Sequence, residues 1–140
     1  MKLLHAMLRV TDVDKTLAFF KLLGLEENRR RDYATGRFTL IFLREISSQS
    51  EVEIELTYNW DRAEPYAIGK NFGHLAFEVE DINEKCDELR EHGIVIARPP
   101  RDGYMAFIRS PDGISIELLQ RGNAIEPREP YLSMPNQGEW

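Results

Sequence analysis

Two histidine and two glutamate residues recur at matching places in the two halves of this 140-residue chain. A His, Asp and Gly pattern occurs twice at a constant offset of 69 residues, as His5, Asp12 and Gly24 and then as His74, Asp81 and Gly93. Each half also contains an Ile-Glu-Leu segment near its end, with Glu55 in the first half and Glu117 in the second. Two neutral imidazoles and two carboxylates make a complete ligand set for a divalent metal ion. The repeat therefore predicts a metalloenzyme built by internal duplication.

Taken one at a time, these residues are ordinary, and other residues of ligand type compete with them. A glutamate between isoleucine and leucine is common in a half-exposed strand, and Glu53 shares the strand face of Glu55. His92 lies near a predicted helix end, where it is expected at the surface or as a cap. Cys86 lies on a predicted apolar helix stripe, where it is expected to pack rather than react. The equivalence of both His and Glu pairs under the repeat is what favours them as ligands.

The elements that must position these residues follow from the hydrophobic pattern. Alternation predicts strands on which the histidines and glutamates point away from their apolar neighbours. Asp12 and Asp81 are predicted N-caps, and Gly24 and Gly93 are predicted helix ends. The first half is predicted to begin with a strand at 2–10 and a helix at 13–23. A hairpin of two strands at 27–33 and 37–43, a polar loop at 46–51 and a strand at 52–58 follow. The second half is predicted as a strand, a helix and three strands, over residues 73–79, 82–92, 94–97, 105–109 and 114–119, with a turn at 110–113.

Each half therefore has a βαβββ order, which predicts an α+β fold of two tandem modules with cupped mixed sheets and outer helices. The modules are expected at residues 1–66 and 67–120, followed by an irregular C-terminal arm at 121–140. The predicted helix stripes, Val13, Leu17 and Phe20 in the first and Ile82, Cys86 and Leu89 in the second, repeat at the same offset of 69 residues.

Composition excludes several classes of function. A net charge of −6 argues against a nucleic-acid partner. The chain has neither an apolar run long enough to span a bilayer nor a signal peptide, so we expect no membrane association. A single cysteine is typical of the reducing cytoplasm. The one basic run, residues 29–31, is either a solvated strand face or a surface that attracts an anionic substrate.

Five segments of the chain carry a resemblance to a known enzyme family. They are residues 5–10, 55–60, 72–74, 110–113 and 116–118, which span most of the chain. With them the chain resembles glyoxalase I, lactoylglutathione lyase, of the vicinal oxygen chelate superfamily. The Glu-Leu-Thr-Tyr-Asn-Trp segment at 55–60 is specific to this family, whereas the Pro-Asp-Gly turn at 111–113 is found across the superfamily.

The resemblance implies a reaction, its ligands and its assembly. The reaction is the metal-dependent isomerisation of the methylglyoxal–glutathione hemithioacetal to S-D-lactoylglutathione through an enediolate, which detoxifies methylglyoxal. The implied ligands are His5, Glu55, His74 and Glu117, with Glu117 as the main base and Glu55 acting on the opposite face. One divalent metal is expected per site, and the short chain favours nickel over cobalt or zinc. The implied assembly is a homodimer in which each site takes His5 and Glu55 from one subunit and His74 and Glu117 from the other.

The family also has residues that bind the thiol co-substrate, glutathione. Those that bind the γ-glutamyl end correspond to Arg9 and Asn59, and a basic residue that binds the glycyl carboxylate in some members corresponds to Lys70. The loop at 99–105 is several residues shorter than in many members and lacks their lysine. Arg101 is a candidate replacement, and a thiol other than glutathione remains an alternative. Tyr131 and Trp140 of the arm are expected to pack over a partner subunit or the cleft, or to form a surface arm.

Two rival functions remain open at this stage. Another vicinal oxygen chelate enzyme, such as a methylmalonyl-CoA epimerase, uses a similar ligand set and also removes a proton beside a carbonyl group. A metal-free drug-binding protein of the bleomycin-resistance type uses the same fold without the four ligands. Arg9 and the Asn59-Trp60 segment favour glyoxalase I over the epimerase.

Overall fold

Two structural units follow one another along the chain. The computed structural model describes residues 1–46 and 50–140. The chain divides into Met1–Ala67 and Ile68–Trp140, and the C-terminal arm lies in the second unit. Residues 47–49, within the predicted loop at 46–51, lie outside the described residues. Neither helix of the described chain is long and apolar enough to cross a lipid bilayer.

The first unit is a four-stranded mixed sheet with one helix. Its elements are β1 (His5–Val10), α1 (Val13–Leu22), β2 (Leu25–Tyr33), β3 (Phe38–Glu45) and β4 (Glu53–Asn59). The strand order is β1-β4-β3-β2, in which β1 and β4 run parallel and the other neighbours run antiparallel. The first and last strands of the unit are therefore direct neighbours, because the chain crosses over the sheet between them.

The second unit repeats this plan with one strand fewer. Its elements are β5 (His74–Val79), α2 (Ile82–Glu91), β6 (Met105–Arg109) and β7 (Ser115–Gln120), and its strand order is β5-β7-β6. β5 and β7 run parallel, as do β1 and β4. Two mixed sheets with two helices confirm the predicted α+β fold class.

The predicted strand at 94–97 does not form in the second unit. In the described chain an isolated antiparallel bridge, between Arg98 and Phe107, stands directly after this segment in place of a strand. Both Ala97 N and Arg98 N donate to the Phe107 carbonyl, at 2.8 and 3.2 Å. Pro99 and Pro100 follow directly and have no N–H to donate, so the ladder cannot continue.

The helix boundaries agree with the sequence prediction to within about one residue. Asp12 Oδ1 accepts a hydrogen bond from Lys15 N at 3.0 Å, and Asp81 Oδ1 accepts from Asn83 N and Glu84 N at 2.8 and 2.9 Å. These bonds satisfy amide groups that have no partner within a helix. Gly24 and Gly93 follow the helices with φ of 82° and 77°, a conformation that favours glycine.

The helix faces bury much of the predicted apolar stripe. α2 buries Ile82, Cys86 and Leu89 as predicted, together with Asn83. α1 instead centres its buried face on Thr16, Phe19 and Phe20, and of the predicted stripe only Phe20 is fully buried. Phe19 is buried beside Phe20, and their rings pack edge to face with centroids 5.3 Å apart.

The C-terminal arm is irregular, as predicted, and it packs on its own unit. Tyr131 is completely buried, and its hydroxyl donates to Asp87 of α2. Gln137 N donates to Ala97 O at 2.8 Å, and Ile125 N donates to Gly103 O at 3.0 Å. The arm therefore covers the segment where the fourth strand of this sheet is missing.

Replacing Gly103 by alanine should separate arm docking from backbone strain. Gly103 has a φ of 67°, and an added Cβ would lie 1.8 Å from the Ile125 oxygen. Gly93 has a similar φ of 77° but open space around its Cβ position, so Gly93→Ala is the matched control. Both variants should pay the strain of a left-handed alanine, and Gly103→Ala should lose about 1–3 kcal/mol more stability from overpacking. Urea denaturation measures the difference, and equal losses would show that the arm does not press on this turn.

Candidate metal centre

The first predicted ligand pair is assembled by the parallel strands β1 and β4. In their register His5 is opposite Glu53 and Met7 is opposite Glu55, so His5 and Glu55 are diagonal neighbours on one face. His5 Nε2 lies 2.9 Å from Glu55 Oε2. The imidazole is 39% exposed and the carboxylate 12% exposed, so the pair is accessible from the open face of the sheet.

The second pair is built in the same way by β5 and β7. His74 is opposite Ser115 and Ala76 is opposite Glu117, which is the same diagonal relationship. His74 Nε2 lies 3.1 Å from Glu117 Oε2, with exposures of 41% and 15%. The two units therefore repeat the register, the interatomic distance and the exposure of the pair.

A phenylalanine beside each pair was missed by the sequence analysis. Phe42 of β3 is in register with Glu55, and Phe107 of β6 is in register with Glu117. Each ring packs edge-on to its histidine, with centroids 5.8 Å apart for His5 and 5.4 Å apart for His74. The signal that could have identified them is their place on the strand that pairs antiparallel with the glutamate strand in each half, which only strand pairing reveals.

The donor atoms of each pair suit one shared cation. Imidazole nitrogen and carboxylate oxygen bind metals such as zinc at roughly 2.0–2.2 Å, so two ligands at a right angle lie about 3 Å apart. The observed separations are 2.9 and 3.1 Å. A direct hydrogen bond between the imidazole and the carboxylate has the same length, and metal titration distinguishes such a bond from a shared metal site. In the described residues, no group of three or more His, Cys, Asp and Glu side chains is arranged to hold a metal ion.

The competing residues of ligand type have other roles. Glu53 is 8% exposed and is bound by Arg29 Nη1 at 2.7 Å and by Asn28 Nδ2 at 2.8 Å. His92 is the C-cap of α2, and its Nδ1 lies 2.8 Å from Glu88 O. Cys86 is completely buried in α2, as expected.

Arg9 and Asn59, the residues predicted to bind the γ-glutamyl group, line one cleft of about 370 Å³ in the first unit. Arg37, Asp61 and Tyr66 also line it, and Asn59 Nδ2 donates to the Tyr66 hydroxyl at 2.8 Å. Arg37 has a φ of 54° and pairs with both Asp61 oxygens. This pairing raises the pKa of Arg37 and lowers that of Asp61, so both charges persist in the cleft.

The two other predicted cations lie in the second unit. Lys70 is exposed in the segment that precedes β5. Arg101 donates to Met134 O at 2.8 Å and to Asn136 Oδ1 at 2.6 Å, so the arm holds its guanidinium. Trp140, at the end of the arm, stacks on Phe107 with centroids 6.1 Å apart. A larger cleft, of about 620 Å³, lies at the start of α1 and contains none of the predicted site residues.

Comparison with known proteins identifies the family of this chain. A family model described as the Glyoxalase/Bleomycin resistance protein/Dioxygenase superfamily matches residues 2–118. A probable lactoylglutathione lyase from Synechocystis is 43% identical over 126 residues, which are 86% of this chain and 95% of that protein. A lactoylglutathione lyase from Neisseria meningitidis serogroup B is 41% identical over 127 residues, 86% of this chain and 91% of that one.

Solved structures show the same likeness. A trypanothione-dependent glyoxalase I from Leishmania major superimposes with a TM-score of 0.76 at 37% identity, over 86% of each chain. Glyoxalase I from Zea mays superimposes with a TM-score of 0.75 at 33% identity, over 87% of this chain and 45% of that longer one.

The buried thiol of Cys86 should be inert in the native protein. Burial raises its pKa to about 12, with a smaller contribution from the negative charge of Asp87, so almost no reactive thiolate exists at pH 8. We expect negligible alkylation by iodoacetamide at pH 8, and complete alkylation once urea unfolds the protein. Mass spectrometry measures the labelled fraction. Rapid alkylation of the native protein would show that the Cys86 thiol is reactive and would contradict this prediction.

Proposed function

This chain belongs to the Glyoxalase/Bleomycin resistance protein/Dioxygenase superfamily, and we propose that within it the chain is a lactoylglutathione lyase. It converts the methylglyoxal–glutathione hemithioacetal to S-D-lactoylglutathione and so detoxifies methylglyoxal. The observation that carries this assignment is the duplicated His-Glu pair, with nitrogen–oxygen separations of 2.9 and 3.1 Å. The alignments with the bacterial relatives of this name span nearly the whole length of those proteins, which supports the same activity for this chain.

The metal ligands that we propose are His5, Glu55, His74 and Glu117. Two pairs of this kind supply four mixed nitrogen and oxygen donors, a set without thiolate that suits nickel, cobalt or zinc, of which we favour nickel. We further propose a homodimer in which the pair of one subunit's first unit meets the pair of its partner's second unit. When bound, the divalent cation supplies Lewis acidity that offsets negative charge on the substrate oxygens.

The chain's own residues carry the proton transfer in this mechanism. Glu117 removes the proton from C1 of the hemithioacetal, which leaves an enediolate, and returns that proton to C2. Glu55 acts as the equivalent base on the opposite face of the substrate. Each carboxylate is 12–15% exposed, so little water competes for the proton. Phe42 and Phe107 hold the imidazoles in place through their edge-on contacts.

We assign the thiol peptide to the open face of the first unit. Arg9 and Asn59 bind its γ-glutamyl end, and the 370 Å³ cleft that they share supports this assignment. Lys70 remains a candidate for the glycyl carboxylate, and Arg101 a candidate for the thiol loop, although the arm already binds its guanidinium. One similar structure is trypanothione-dependent, so other thiols belong in the assay. We propose that the enzyme acts in the cytoplasm, where low-molecular-weight thiols are kept reduced.

Metal titration tests the ligand assignment. Apoprotein should bind one ion of nickel, cobalt or zinc per subunit. His5→Gln or His74→Gln should weaken binding by more than the roughly 10- to 100-fold that loss of an outer partner causes. His92→Gln, which alters only a helix cap, is the matched control and should bind normally. Calorimetry provides the affinities, and normal binding by both site variants would remove the histidines from the metal centre.

Substitution of the proposed base tests the reaction. Glu117→Gln should remain folded and lose at least about 10²–10⁴-fold in turnover of the hemithioacetal, because the amide cannot accept the C1 proton. Glu84→Gln, on the exposed face of α2, is the control and should keep full activity. The assay follows thioester formation with glutathione and then with other thiols, and an acyl-CoA substrate tests the rival epimerase. Unchanged turnover in Glu117→Gln would eliminate this residue as the base.

A further inference from the structure

The phenylalanine beside each proposed ligand pair is itself covered by another side chain, and the two units use different residues for this. In the first unit the Arg29 guanidinium lies over Phe42, 3.8 Å from the ring centroid. In the second unit the Trp140 indole stacks on Phe107, with centroids 6.1 Å apart. Each covered ring is the one that packs edge-on to a histidine. The difference between the units therefore lies one contact away from the proposed metal ligands.

Arg29 is held over its ring by an ion pair. The register of β2 shifts between Glu27 and Arg29, which is a β-bulge with Asn28 as the extra residue. Asn28 Nδ2 and Arg29 Nη1 both donate to the buried Glu53 carboxylate, at 2.8 and 2.7 Å. The basic run at 29–31 is therefore not a uniform solvated face, because its first member is tied to a buried carboxylate.

The repeat contains a second copy of this arginine, but its guanidinium is turned elsewhere. Arg98 follows Arg29 at the same offset of 69 residues that separates the histidines. Its backbone is the bridge partner of Phe107, so it starts beside the ring that corresponds to the one under Arg29. The guanidinium instead donates to Asp102 Oδ2 at 2.8 Å and to the first carbonyl of β6. The cover of this ring is provided by Trp140.

The reason for the exchange lies at the position opposite each histidine. Glu53 is opposite His5, whereas Ser115 is opposite His74. Ser115 is buried, and its hydroxyl has no hydrogen-bond partner in the described structure. An arginine on this face of the second unit would therefore lack the carboxylate that its counterpart has. An indole can cover an aromatic ring without a charged partner.

The backbone of the arm is anchored next to Trp140. Arg109 Nε donates to the Glu139 carbonyl, and Arg109 lies on the same face of β6 as the covered ring, two residues along the strand. Gln137 N donates to Ala97 O at 2.8 Å. Because the chain is fixed at these two points, the indole loses little further freedom when it stacks.

The cover acts on the ring and leaves the ligands open. Phe107 is 7% exposed, whereas Phe42 is half-buried. His74 and Glu117 nevertheless have almost the same exposures as the pair in the first unit. An arm that blocked the centre would have buried this pair more than the other. Trp140 therefore supports the ring beside the histidine and does not close the site.

We propose that Trp140 is a positioning residue of the second ligand pair, which holds Phe107 and through it the His74 imidazole in the orientation that binds the metal ion. Metal binding and docking of the arm are then coupled, because both stabilise the same ring, and such coupling is reciprocal. This inference rests on the proposed function, since it takes His74 as a ligand. It adds a residue that the arm supplies and that lies outside the duplicated plan.

Metal titration of arm variants tests one direction of this coupling. Trp140→Ala should weaken binding of nickel or cobalt roughly 2- to 10-fold, the range that an aromatic pair contributes. Trp140→Phe keeps a ring against Phe107 and should restore most of the native affinity. Calorimetry measures the affinities of the full-length variants without requiring turnover.

A second position in the arm supplies the matched control. Tyr131→Phe removes the hydroxyl that donates to Asp87, in the part of the arm that packs on α2. Loss of this bond should lower stability to urea, because the buried carboxylate partner loses a donor. The variant should nevertheless bind metal as the native protein does, since the stack on Phe107 is intact.

Hydrogen exchange tests the other direction. The Gln137 amide is bonded to Ala97 O, so its exchange rate reports how often the arm undocks. Saturation with zinc, a d10 ion that leaves NMR signals intact, should slow this exchange in the native protein by the same roughly 2- to 10-fold factor. In Trp140→Ala the slowing should disappear.

The outcomes separate this inference from the proposed function. Native metal affinity in Trp140→Ala, or Gln137 exchange that zinc does not change in the native protein, would overturn the positioning role. Equal losses of affinity in Trp140→Ala and Tyr131→Phe would overturn it as well, since arm stability alone would then explain them, and so would a failure of Trp140→Phe to improve on Trp140→Ala. Intact coupling without isomerase activity in the native protein would instead contradict the proposed reaction and leave Trp140 in its role.

Discussion

Parallel pairing of the first and last strands of each unit is the constraint on which the site depends. The pairing brings His5 beside Glu55, and His74 beside Glu117, over chain separations of 50 and 43 residues. A slip of one residue in either ladder would move the glutamate to the opposite face of its sheet. The intervening helices and hairpins serve this register, since a parallel neighbour can be reached only by a crossover. The proximity of each histidine to its glutamate is therefore set by strand register.

Duplication has preserved this register while the surroundings have diverged. Both units keep the diagonal His-Glu relationship and a phenylalanine beside it. Around that shared pair, the first unit adds a bulge and a held cation, Arg29, whereas the second has lost a strand and covers the gap with the arm. Trp140 of the arm stacks on Phe107 as Arg29 stacks on Phe42. The same ring thus contacts a guanidinium in one unit and an indole in the other, which gives the two repeats different chemical surroundings.

Segments with strong hydrophobic periodicity were predictable from the sequence. Segments whose structure depends on which hydrogen-bond partners are available were not. Caps and glycine stops placed both helices to within about one residue, because those signals act locally. The strand expected at 94–97 failed because an apolar run does not reveal whether a partner edge exists or whether the following prolines will end the ladder. The arm was recognised as irregular. Tyr131 was expected over a partner subunit, over the cleft or on a surface arm, whereas it is buried beside α2 of its own unit, because a single aromatic has no periodicity that indicates its packing partner.

The sequence by itself determined the duplicated plan, the α+β class and the residue types at the candidate centre. The constant offset between the repeats and the alternation of apolar and polar residues can both be read directly from the order of residues along the chain. It also favoured Glu55 over Glu53 through the repeated Ile-Glu-Leu segment, but it could not show what Glu53, which shares the same face, would bind instead. Only the tertiary structure decided that Glu53 is bound by Asn28 and Arg29 while Glu55 meets His5. The reason is physical: which carboxylate reaches the imidazole depends on register and on a bulge in a strand more than twenty residues away, and such pairings are set by packing across the sheet rather than by local sequence.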